Sequence, residues 1–171
     1  MENQRTARNQ GTTGSQTAGV REPGVYNYRN LDLWKRAQEL ALDVMRLSEN
    51  LPSSPASLVL ARQVVRSAAS IGANIAERHG RYSLAAYRNH LSIAKGSAAE
   101  TDSWLDLLRR AGYIDGSTEA RLHQECLTIM GALTRRMRAL DAKIQELKDT
   151  RVREEGFAYG FGREAAIEAS E

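Results

Sequence analysis

Residues 117–147 read STEARLHQECLTIMGALTRRMRALDAKIQEL, and their spacing decides the fold. Leu122, Cys126, Ile129, Leu133, Met137, Leu140, Ile144 and Leu147 recur at intervals of three and four. That period is one face of an α-helix, and no proline or glycine pair interrupts it. Ser117 or Asp115 is the expected N-cap, and Glu119 in the first turn suits the helix dipole. Working back along the chain, Leu84, Tyr87, Leu91, Ala94, Ala98 and Leu105 form a second such face, from a cap at Ser83 to a stop at Gly112. Leu58, Ala61, Val65, Ala68, Gly72 and Ile75 form a third, behind Ser54-Pro55. Leu33, Ala37, Leu40, Val44 and Leu47 form the first, with Asn30 as N-cap and Pro52 near its end. Four helices joined by short connections make antiparallel neighbours. The expected fold is all-α, an up-down-up-down four-helix bundle.

The rest of the chain frames that bundle. Residues 1–29 are polar and rich in Gln, Thr and Gly, so they are expected to be a disordered arm. Residues 30–150 are the bundle, and 151–171 a weakly ordered tail containing Gly156-Phe157-Ala158-Tyr159-Gly160-Phe161-Gly162-Arg163. That Gly/aromatic run could stack on bases or dock on a protein. The 171 residues include one Cys, which excludes an internal disulfide and a Cys-based zinc site. No apolar run is long enough to span a membrane and no secretory h-region is visible, so a cytoplasmic location and no membrane partner are expected.

Two faces exceed what one core needs. On the third helix Ile93, Gly96, Ser97, Glu100, Trp104 and Leu107 lie together, away from the Leu91 face. On the second, Ser70, Asn74 and Glu77 follow Arg66 at helical spacing, flanked by small residues. An arc this wide suits burial on two sides. A homo-oligomer interface through Ser70, Asn74, Glu77, Ile93, Gly96, Ser97, Glu100 and Trp104 is therefore expected. The competing reading packs these residues inside one bundle, with Glu100 as an inter-helix partner of Arg66.

Chemistry-bearing motifs are absent. There is no Glu-x-x-His for a di-iron site, no phosphate-binding Gly loop and no nucleophile elbow. His79, His90 and His123 are scattered, and Cys126 sits on a core stripe. No enzyme activity, cofactor or metal is expected. The net charge is +3, and the basic side chains are almost all Arg, a good phosphate partner. Arg62, Arg66, Arg78 and Arg81 give residues 51–82 a charge of +3, and Arg135, Arg136 and Arg138 cluster on the fourth helix. These seven arginines are the candidate nucleic-acid contacts, reading charge and shape. RNA is favoured over DNA. The alternative is a protein-adaptor ring.

Ser70-Ile71-Gly72-Ala73-Asn74-Ile75-Ala76-Glu77 resembles the S-I-x-x-N-I-A-E-G signature of the four-helix-bundle family known as 23S rRNA intervening-sequence proteins. Leu33-Trp34-Lys35-Arg36-Ala37, the Leu60–Ala68 segment, Ala94-Lys95-Gly96-Ser97-Ala98-Ala99-Glu100 and Ala111-Gly112-Tyr113-Ile114 are similar to further family elements. The similarity spans about residues 28–147. It departs at Glu77-Arg78-His79-Gly80, where the turn is longer, and at Gly72, where the family has Pro. The resemblance implies a bundle that forms a ring-like oligomer, a pentamer, related to the accessory variability proteins of diversity-generating retroelements. Those engage a reverse transcriptase and nucleic acid, which adds a reverse transcriptase to the expected partners.

Overall fold

A computed structural model describes residues 27–77 and 83–168, with side chains described as far as Glu154. The N-terminal arm and the 78–82 connection lie outside the described residues. Four helices follow a short 3-10 turn at Tyr28–Asn30: α1 Asp32–Glu49, α2 Pro55–Ala76, α3 Leu84–Arg110 and α4 Gly116–Glu168. The described residues contain no strand. The chain is the expected all-α four-helix bundle.

Local chemistry sets the helix ends. The Ser54 hydroxyl accepts from the Ser57 amide at 3.1 Å, and Pro55 occupies the first turn of α2. The Ser83 hydroxyl accepts from the Ala86 amide at 3.2 Å to open α3. Gly112, with φ of 72°, lets the chain turn left-handed after α3 so that the Tyr113 amide reaches the Leu108 carbonyl at 3.0 Å. Asp115, not Ser117, caps α4: its carboxylate accepts from the Thr118 amide at 2.8 Å and from the Ser117 hydroxyl. The Ser117 hydroxyl, then the Thr118 amide, hold the Asp115 carboxyl well below the usual carboxylate range. The start of α1 differs from expectation. Leu31 is its N-cap and makes no side-chain cap, because Asn30 belongs to the preceding 3-10 turn, capped by Asn27.

Consecutive helices are antiparallel neighbours, and α4 closes on α1. Contacts run downward on one helix as they climb the other: Ser67 meets Thr101 and Asn74 meets His90 across α2 and α3. Arg109 meets Glu119 and Arg88 meets Asp141 across α3 and α4. Arg121 reaches Asp43 across α4 and α1 at 2.6 Å. The core takes Ala37, Leu40 and Val44 from α1, Leu91, Ala98, Leu105 and Leu108 from α3, and Leu122, Cys126, Ile129 and Leu133 from α4.

Two readings of the helix faces change. On α2 the buried line is Val64, Ser67, Ala68, Ile71 and Ile75, while Leu58 is 53% exposed. The true face is rotated toward α3 because Ser57 and Ser67, polar in sequence, are buried in it. On α3 the strip Arg88, Lys95, Asp102, Asp106 and Arg109, which reads as the solvated side, carries the residues that meet α4: Arg88, Asp102 and Arg109 all have partners there. The fourth helix, expected to end near 150, continues unbroken to Glu168. It therefore outruns the start of α3, and Leu147 and Val152 are 54% and 67% exposed.

Candidate nucleic-acid interface and assembly face

The seam between α2 and α3 is built from small polar side chains. Thr101 Oγ1 lies 2.9 Å from Ser67 Oγ, and Ser97 Oγ lies 3.0 Å from Ser70 Oγ. The Asn74 amide donates to the Ser70 carbonyl at 2.9 Å, and its oxygen faces His90 Nδ1 at 3.4 Å. At the outer edge Arg66 donates to Glu100 at 2.8 Å, and the Trp104 indole donates to the same carboxylate oxygen at 3.3 Å. The hydrogen bonds of Ser70, Asn74, Ser97 and Glu100 therefore close within one chain. Sequence reading had offered them to a second copy. Glu100 takes the place of an inter-helix partner to Arg66.

What this seam leaves outside is apolar. Ile93 and Leu107 are 45% and 41% exposed, Gly96 is exposed and Trp104 is half-buried. A methyl group on Gly96 would meet nothing within 4 Å. Gly72 differs: a methyl there would run into the Gln38 side-chain amide beneath Trp34, so its small size serves α1–α2 packing. Glu77 is exposed at the end of α2.

The seven candidate arginines do not form one patch. Arg62 and Arg66 lie toward the middle of α2, and Arg66 is tied to Glu100. Arg135, Arg136 and Arg138 lie on α4, nearer the opposite end of the bundle. All three are exposed, with no ion pair among the described residues. Arg78 and Arg81 lie outside the described residues.

The unbroken α4 reveals cations that the sequence reading passed over. From Arg135 to Arg153 the helix carries Arg135, Arg136, Arg138, Lys143, Lys148, Arg151 and Arg153 against Asp141, Glu146 and Asp149. Its first half carries Asp115 at the cap, Glu119 and Glu125 against Arg121. Summed over 113–150 these charges cancel, which hid the separation. The acids of the first half are used at the cap and toward α1 and α3, where Glu119 and Glu125 meet Arg109 and Arg36. The distal cations are exposed, and of the three acids among them Asp141 is bound by Arg88.

Two other reactive side chains are engaged. Burial pushes the Cys126 thiol up to about 12, so at neutral pH it is a small core residue, not a nucleophile. His123 Nδ1 sits 2.6 Å from Asp102, and that hydrogen bond raises its pKa above the ordinary 6.5. A raised pKa stabilises the fold fully below 6.5, and that contribution fades as pH climbs through the folded value. The thermal midpoint of wild type should exceed that of His123→Ala by more at pH 6 than at pH 9. An equal gap at both would mean the pair carries no charge-dependent stability. Among the described residues no group of three His, Cys, Asp or Glu is placed to hold a metal ion. No helix there is long and apolar enough to cross a membrane.

The polar α2–α3 seam and the Tyr113 turn are the places where the signature residues fall, and comparison with known proteins agrees. A family model described as 23S rRNA-intervening sequence protein matches residues 29–135. The chain belongs to that family. A solved structure from the S23 ribosomal protein family of Bacteroides thetaiotaomicron VPI-5482, a protein described as of unknown function, is 31% identical. The similarity covers 61% of this chain and 97% of that one, with a TM-score of 0.58. No curated protein matches. The family match includes all of α1, α2 and α3 and stops at Arg135, where the basic half of α4 begins.

Proposed function

We propose that this chain is a non-catalytic, cytoplasmic homo-oligomer that holds nucleic acid, RNA in the first place, by charge and shape. One observation carries the reading: the stretch of α4 from Arg135 to Arg153, ahead of Glu154 and Glu155, presents seven cations against three carboxylates on a helix that runs past the start of α3. A positive helix of this kind attracts a phosphate backbone without selecting bases. Assembly multiplies the effect, because each copy adds another basic helix to the same field.

The proposed assembly surface is the outer side of α2 and α3, centred on Ile93, Gly96, Trp104 and Leu107. Its polar members Ser70, Asn74, Ser97 and Glu100 act there as the seam that fixes the face, and Glu77 lies at its rim. Gly96→Arg tests this. In a free monomer the substitution has open space and leaves the fold intact. In an assembly it places a charged side chain against a neighbouring helix. Light scattering should show wild type as an oligomer, a pentamer by family resemblance, and Gly96→Arg as a folded monomer. A monomeric wild type would remove the assembly. RNA binding itself is read by mobility shift at low salt, where an unshifted band would end the nucleic-acid reading.

A protein-adaptor ring is the second reading, and Leu42, Met45 and Leu58 favour it. They are 41%, 38% and 53% exposed, Leu42 and Met45 on α1 and Leu58 in the first turn of α2. A protein partner such as a reverse transcriptase could cover them.

A further inference from the structure

Where α4 passes the start of α3, the two helices border a shallow, open notch of about 300 Å³, lined by Ser83, Leu84, Ile144, Leu147, Lys148 and Arg151. Its floor is apolar: Leu84 and Ile144 are half-buried and Leu147 is 54% exposed. Its rim is cationic, since Lys148 and Arg151 sit one helical turn beyond Ile144 and Leu147 on the same face. The third wall is the start of α3. The Ser83 oxygen accepts from the Ala86 amide, which leaves its own proton to donate. No acidic residue lies in the first turn of α3, so the positive end of that helix is not offset there. An apolar floor flanked along its α4 side by two cations fits an amphipathic anion, a flat apolar body carrying a phosphate or carboxylate.

We propose that this notch receives an unpaired nucleotide, its base on Leu84, Ile144 and Leu147 and its phosphate toward Lys148, Arg151 and the Ser83 hydroxyl. The notch lies on the same basic run of α4, from Arg135 to Arg153, so a strand held along that helix passes its mouth. A duplex keeps its base faces stacked away and offers only phosphates to such a helix. A single strand can turn a base inward and bury its face. The notch therefore converts indifferent backbone binding into preference for single-stranded RNA. Its α4 wall lies beyond Arg135, where the family match ends, while Ser83 and Leu84 fall within that match. The inference rests on the nucleic-acid reading above.

The test is fluorescence anisotropy on the full chain with a labelled, unstructured RNA strand of about 16 nucleotides. The same strand annealed to its complement is the second probe. Wild type should bind the single strand more tightly than the duplex. Leu147→Ser should weaken single-strand binding at least about fivefold while leaving duplex binding and the salt slope unchanged. Leu147 is more than half exposed, so the thermal midpoint should hold and the bundle stays folded. Binding of both probes that is indifferent to Leu147→Ser overturns the notch and leaves the nucleic-acid reading standing. Equal losses on strand and duplex assign Leu147 to general packing and also overturn it. No binding of either probe by wild type at low salt removes both.

Discussion

Reversing three charges together, R135E/R136E/R138E, should lower RNA affinity about a hundredfold at 0.1 M salt. Each phosphate contact to a single strand releases about 0.7 of a counterion, so at 0.1 M it is worth a factor of about five. Three contacts multiply to about two orders of magnitude. The slope of log affinity against log salt should flatten by about 2 for the same reason. These side chains are exposed and bear no ion pair among the described residues, so the variant should keep the fold of the parent. Arg62→Ala should change affinity less than about threefold, because Arg62 stands on the diagonal helix and at the other end of the bundle. A variant that binds like wild type would move the contact surface off α4.

Leu133→Ala should destabilise the protein by about 3 kcal/mol, within the range of about 2–5 kcal/mol seen when a large buried aliphatic side chain is cut back. Leu133 is fully buried among side chains from the other helices. The loss combines the transfer term of the removed methyl and methylene groups with the cavity they leave. Leu147→Ala, further along the same stripe, should cost within about 0.5 kcal/mol, because Leu147 is 54% exposed past the end of the bundle. Chemical denaturation of both variants measures the difference. Equal costs would mean that α4 is packed along its whole stripe, and that the distal segment is not free to meet a partner.

That contrast also shows where the sequence could be read and where it could not. The period of Leu122 to Leu140 predicts both a helix and its buried face, since the same spacing that forms the stripe also buries it. The period cannot say where the partner helices stop. Ile144 and Leu147 keep the spacing where only the cap and first residue of α3, Ser83 and Leu84, flank them, so the stripe looks like core where burial is only partial. On α2 the apolar arc is broad, and buried Ser57 and Ser67 carry polar labels. Apolar counting therefore selected Leu58 and Val65, the rim of the face, over Val64 and Ile71. Polar side chains in a close helix–helix seam are satisfied by each other, and only the fold shows that Ser67 meets Thr101 and Ser70 meets Ser97.

Charge was legible in total but not in place. Residues 113–150 sum to zero, yet 113–134 holds three acids against the one cation Arg121, and 135–150 holds five cations against three acids. Lys143 and Lys148 are hidden by that zero sum, and Arg151 and Arg153 by the expected end of the helix near 150. A running charge window along the fourth helix, in place of its sum, is the signal that could have found them. Arg66 shows the converse: its sequence position suggests a phosphate contact, and the fold places it on Glu100.

The central claim is that an assembled basic helix holds RNA through its phosphates. Its most direct measurement is the affinity of wild-type protein for a labelled RNA strand as salt is raised. The account predicts tight binding at low salt and a log–log slope near −5, as expected for about seven phosphate contacts on a single strand. Binding that is absent at low salt, or that holds constant as salt rises, would contradict it.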